Sequence, residues 1–121
     1  MVSRNWVAHG VLMGFALAGC GGGEEPEGRA ADARGRALFM AFGCTLCHGP
    51  DGAGTTLGPP LRGLAKHWTR EELASYLADP QAAVARDPRL AELARQYAKE
   101  MPAITTPEEQ RLEIADYVLG F

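Results

Sequence analysis

Apolar and polar positions change rhythm several times along the chain. An almost unbroken apolar run at residues 7–19 gives way to GGGEEPEGRAADA at 21–33, which has no periodic apolar face. Beyond it apolar residues return at helical spacing in four stretches, and nothing alternates convincingly in the manner of a strand. The first stretch predicts a helix over residues 32–42, with Asp32 as N-cap, Gly43 as terminator, and Gly35, Leu38, Phe39 and Phe42 along one side. The second opens on Thr69-Arg70-Glu71-Glu72, a capping-box pattern, groups Leu73, Tyr76 and Leu77, and stops at Asp79-Pro80. Asp87-Pro88 marks the third, a cap followed by proline at the first helical position. Leu90, Leu93, Ala94, Tyr97 and Met101 carry that helical spacing onward, which puts Met101 on the buried face near the last turn and turns Arg89, Glu92, Arg95, Lys99 and Glu100 outward. The fourth begins at Thr106-Pro107-Glu108-Glu109 and carries Leu112, Ile114, Ala115, Tyr117, Val118 and Leu119. The expected fold is therefore all-α, with about four helices, and a Gly/Pro-rich loop at residues 43–60 separates the first two.

A length of 121 residues leaves room for one domain. The apolar run at 7–19 falls short of the ~20 residues needed to cross a ~30 Å hydrocarbon core, and with Arg4 ahead of it the run reads as an export signal. It ends in Leu17-Ala18-Gly19-Cys20, which resembles the bacterial lipobox and implies a lipid on Cys20 as the mature N-terminus. The alternative is an ordinary secretory signal with an incidental cysteine. Residues 1–19 are then a lipoprotein signal peptide, 20–33 a lipidated cysteine and flexible tether, and 34–121 the folded domain. A tether of this composition buries too little apolar surface to offset chain entropy, and it reaches at most ~45 Å. Residues 34–121 hold ten Lys+Arg against eleven Asp+Glu, so the domain is nearly neutral. Lys66 and Lys99 are its only lysines; there is no basic stripe for nucleic acid and no dense lysine ring for docking. A unit this small usually needs a staple besides its core.

The candidate chemistry is concentrated in Cys44-Thr45-Leu46-Cys47-His48. A thioredoxin-like disulfide centre would set CxxC in a strand–helix alternation, which is missing, and would leave His48 unexplained. A structural zinc site needs four ligands, and His67 is the only further candidate in the domain. The third reading is CxxCH attachment of a c-type haem, with both thiols adding to the haem vinyl groups and His48 presenting its imidazole to the iron. Only this reading uses all three residues, and it suits an exported protein.

From Gly35 to Phe121 the chain resembles a class I cytochrome c of the bacterial lipoprotein type. Gly35-Arg36-Ala37-Leu38-Phe39 resembles the family's first helix, where glycine lets the C-terminal helix cross closely and the aromatic packs on it, here against Tyr117. Gly58-Pro59-Pro60-Leu61 resembles the family's Gly-Pro-x-Leu, which implies that the Pro59 carbonyl accepts a hydrogen bond from the haem histidine. The run from Trp68 to Pro80 resembles the helix whose tryptophan meets a haem propionate and whose tyrosine, here Tyr76, lies near the axial methionine. Met101-Pro102 resembles the Met-Pro pair that supplies the sixth ligand; Met40 and His67 compete for that position less well, Met40 as a packing residue of the first helix and His67 as a solvated loop residue. Two departures stand out: the short step from Leu64 to Trp68, and the twenty residues between Pro80 and Met101.

The resemblance implies one haem c, covalent through Cys44 and Cys47, with His48 and Met101 as iron ligands and Pro59, Trp68 and Tyr76 around it. The expected function is single-electron carriage between redox protein partners by a membrane-tethered monohaem cytochrome on the outer side of the cytoplasmic membrane. It is not an enzyme on this reading, and nucleic acid is not a partner. The alternatives are a haem enzyme or gas-binding sensor with a weak or vacant sixth position, and an electron-entry subunit of a larger oxidase or reductase. The helix ending at Met101 is expected to lid the methionine side of the haem; a surface insertion packed away from it is the competing expectation.

Overall fold

The computed structural model describes residues 27–121. Within them lie six α-helices and no strand: α1 (Glu27–Ala41), α2 (Cys44–His48), α3 (Arg70–Ala78), α4 (Pro80–Arg86), α5 (Pro88–Ala94) and α6 (Glu108–Leu119), with a 3-10 turn at Leu64–Lys66. The signal segment, the Leu17-Ala18-Gly19-Cys20 motif and the first part of the tether lie outside the described residues.

The core is the junction of α1, α3 and α6. Phe39 from α1, Leu73, Ala74 and Leu77 from α3, and Ile114, Ala115 and Val118 from α6 are buried together, with Cys44 and Ile104 completing the cluster. The helices α1 and α6 can cross closely because of Gly35. A β-carbon there would sit 2.3 Å from the Glu113 carbonyl oxygen and 2.6 Å from the Tyr117 β-carbon, so no larger residue fits. One turn on, Phe39 meets Tyr117 edge-on at 5.5 Å and Phe121 at 5.8 Å. This is the glycine-and-aromatic crossing that the sequence implied. Aromatic rings favour such T-shaped contacts because the positive edge of one meets the negative face of the other.

The helix α3 starts where its capping box predicts. The Thr69 hydroxyl accepts from the Glu72 amide at 3.2 Å, and the Glu72 carboxylate accepts from the Thr69 amide at 2.8 Å. Asp79 then ends α3 and caps α4, accepting from the Ala82 amide at 3.0 Å, with Pro80 at the first position. Asp87 repeats the device for α5, accepting from the Arg89 amide at 2.9 Å.

Three expectations are corrected. The helix α1 begins no later than Glu27, so Asp32 is an interior residue rather than an N-cap, and residues 27–33 belong to the helix instead of the tether. Residues 80–86 form a helix of their own, since Asp79-Pro80 both stops α3 and starts α4. Finally, α5 ends at Ala94 and does not reach Met101. No residue of α5 is buried, and of the other helices its backbone approaches only α4. A short helix draws most of its stability from a packed face, and this one has almost none. The chain tightens through Gln96 and Tyr97, whose amides bond the carbonyls of Leu93 and Ala94 at 3.1 and 3.2 Å, and then leaves helical geometry. Met101 consequently sits in an irregular segment between α5 and α6. No described helix is long and apolar enough to cross a membrane.

Candidate haem-attachment site

The helix α2 is barely more than one turn, and its residues are the chemistry. Gly43, at φ 72°, ends α1 and redirects the chain so that Cys44 starts the next turn. Cys44 and Cys47 are three apart, which puts their side chains on the same side of the helix. Neither thiol is in a disulfide; Cys44 is buried and Cys47 partly so. Burial pushes the Cys44 thiol above its ordinary pKa, because the charged form loses its hydration, and its like-charged neighbour Cys47 adds to the effect. Between them Leu46 points out, 75% exposed.

His48 closes the helix with its side chain buried, 7% exposed. Its Nδ1 lies 2.8 Å from the carbonyl oxygen of Pro59. A carbonyl can only accept, so Nδ1 carries the proton and Nε2 keeps its lone pair. The loop that brings Pro59 there is tied back onto α2: the Gly54 amide donates to the His48 carbonyl at 2.8 Å, and the Thr55 hydroxyl donates to the Cys47 carbonyl at 2.6 Å. Thr55, which ties the loop to Cys47, carries no local sequence signal for that role.

Trp68 and Tyr76 are brought together, ring centroids 5.3 Å apart and edge-on. Burial raises the Tyr76 phenol above its ordinary pKa. Both rings face a cleft between α3 and the α4–α5 hairpin, shared with Leu90 and Leu93, and His67 lies at the same cleft. His67 thus shares a cleft with Trp68, and among the described residues no cluster of three or more His, Cys, Asp or Glu side chains could hold a metal ion. That removes the zinc reading. Met40 is exposed on α1. Met101 is partly buried against the core, its carbonyl accepting from the Gln81 side chain at 3.4 Å, and it lies close to His48.

The family model for cytochrome c matches residues 33–121. The chain belongs to the cytochrome c family. Searches of curated proteins and of solved structures gave no match. The cytochrome is a haem-binding electron-transfer protein, its haem c held covalently by Cys44 and Cys47. The residues fit that group. Two unbonded thiols stand on one side of a helical turn, and the adjoining imidazole is oriented by Pro59 with Nε2 left as a donor atom. When bound, haem supplies a one-electron Fe(III)/Fe(II) couple. The Pro59 carbonyl would then fix the ring orientation of His48, as outer partners of metal-bound histidines do. Cytochromes of this family are electron carriers in general and are typically exported.

Proposed function

We propose that this cytochrome carries single electrons between redox proteins outside the cytoplasm, with His48 Nε2 and Met101 Sδ as the two iron ligands and a lipid on Cys20 as its membrane anchor. The observation that carries the ligand assignment is the locked imidazole of His48, its Nδ1 bound to Pro59, beside a half-buried methionine. A thioether is a soft ligand and favours the ferrous state, which raises the potential relative to two imidazoles. With both axial positions taken by protein there is no open site for substrate, so the protein is a carrier and not an enzyme. The anchor rests on Leu17-Ala18-Gly19-Cys20. Because α1 begins by Glu27, the spacer from Cys20 is six residues, at most about 20 Å of extended chain, half the reach that a tether to residue 33 would have. The domain would be held against its membrane.

The test of the ligand set is optical. Ferric protein should show the weak far-red band of a methionine–iron bond, and ferrous protein should bind CO slowly. Met101→Ala should abolish the band and open the site to CO and azide. Rapid CO binding by the unaltered protein would instead support the gas-binding or enzymatic reading. For the anchor, Cys20→Ser should abolish partition into detergent while leaving the haem spectrum unchanged.

A further inference from the structure

The segment that carries Met101 runs outside any helix from Arg95 to Pro107, yet it is held at definite points. Ile104 is buried, and its amide donates to the carbonyl of Leu77 at the end of α3, at 2.8 Å. Thr106 turns back on Ile104, its amide donating to the Ile104 carbonyl at 3.0 Å. The Thr106 carbonyl in turn accepts from Nη1 of Arg111 in α6. Arg111 is unusual among the arginines here. Arg34, Arg62, Arg70, Arg89 and Arg95 each pair with a carboxylate, whereas Arg36, Arg86 and Arg111 have no ion pair among the described residues, and of these Arg111 alone has a buried side-chain nitrogen without a hydrogen-bond partner. It stands four and seven residues before Ala115 and Val118, on the face of α6 that is buried, and its Nε is buried with no hydrogen-bond partner. That nitrogen loses hydration there and gains no hydrogen bond in return, which is a costly position for a residue whose only task is solubility.

We infer that Arg111 is a positioning residue for Met101. The guanidinium fixes the Thr106 carbonyl, Thr106 fixes Ile104, and Ile104 is latched to the end of α3, three residues beyond the methionine. The latch holds from the α6 side what Gln81 holds from α4 through the Met101 carbonyl. Loss of the guanidinium frees the segment and lets Met101 leave the iron more often. The inference rests on the assignment of Met101 as ligand, and the experiment separates the two.

Arg111→Met keeps most of the apolar stem and removes the donors; Arg111→Lys keeps a charge and one donor that can reach the carbonyl; Arg111→Gln is the more conservative neutral variant should the Met variant fail to fold. In full-chain holoprotein, Arg111→Met should speed hydrogen exchange at the Ile104 amide and azide binding to ferric protein by about tenfold or more, and weaken the far-red band. Arg111→Lys should restore most of each. Wild-type azide kinetics and an unaltered band in the Met or Gln variant would overturn the inference, whatever happens to unfolding stability. If the unaltered protein has no far-red band, Met101 is not the ligand; Ile104 exchange then decides the latch alone, and an unchanged rate in both variants overturns it.

Discussion

Gly35 shows how much of the fold can rest on one hydrogen atom. The α1–α6 crossing brings the Glu113 carbonyl within 2.3 Å of where a β-carbon would stand, well inside van der Waals contact. Gly35→Ala should force the two helices apart and cost about 1–3 kcal/mol or more, read as a lower denaturant midpoint. Thr69 acts through hydrogen bonds instead. Its amide and hydroxyl both bond Glu72, first the amide to the carboxylate, and together they hold the Glu72 carboxyl below its usual range. A carboxyl with a depressed folded pKa contributes stability above its unfolded pKa and loses it as pH falls through the folded value. Thr69→Ala should therefore cost about 1 kcal/mol near neutrality, as lost caps do, and somewhat less in acid, where Glu72 is protonated in both proteins. Equal cost at pH 7 and below pH ~3, compared by urea unfolding, would show that the Thr69 hydroxyl does not act on the Glu72 carboxylate, whose bond to the Thr69 amide the variant keeps.

At the scale of elements, α5 stands apart. It carries well-formed caps and a proline start, so its sequence is locally helical, yet of the other helices only α4 approaches its backbone and none of its residues is buried. Leu93, expected to be buried in a lid, is 38% exposed. Helices of this kind open locally at little cost. Amides in α5 should exchange far faster than those of α6, and Leu93→Asp should change global stability by less than about 0.5 kcal/mol. The expected lid had Met101 on the same helix as Leu93; with the helix ending at Ala94, Leu93→Asp should leave the far-red band and azide kinetics unaltered. Leu90 and Leu93 do line the cleft that Trp68 and Tyr76 face, so the hairpin borders the aromatic pair.

For the molecule as a whole, charge balance is the property with the clearest consequence. Eleven Lys+Arg against thirteen Asp+Glu in residues 27–121 leave a net charge of −2, with no single-signed run evident in the sequence. Long-range steering falls off with salt only where there is a field to screen. Reduction of the ferric holoprotein by an anionic reagent, followed by stopped flow between 10 and 300 mM salt, should change by less than about threefold, a small change by the standard of steered association. A steep fall or rise with salt would reveal a concentrated charge patch that composition conceals.

Much of this protein is settled by near neighbours in the chain. The Cys44–Cys47–His48 run gathers two thiols and an imidazole without help from the fold, because contiguous residues on one helical turn have no freedom to separate. Caps at Thr69, Asp79 and Asp87 are likewise local hydrogen bonds between residues two or three apart; the sequence alone marks those at Thr69 and Asp87, whereas Asp79-Pro80 reads there only as a stop. Gly35 and Phe39 were legible for another reason: their spacing resembles a known first helix, and packing against Tyr117 follows from it. The tertiary structure alone decided where helices end without a stop residue. Nothing between Ala94 and Met101 breaks a helix by itself, and α5 ends there because it has no buried face to extend. It alone decided that Ile104 bonds Leu77 and that Arg111 reaches the Thr106 carbonyl. Those contacts join segments that meet only once the core has formed, and their energies depend on burial, which no stretch of sequence carries within itself.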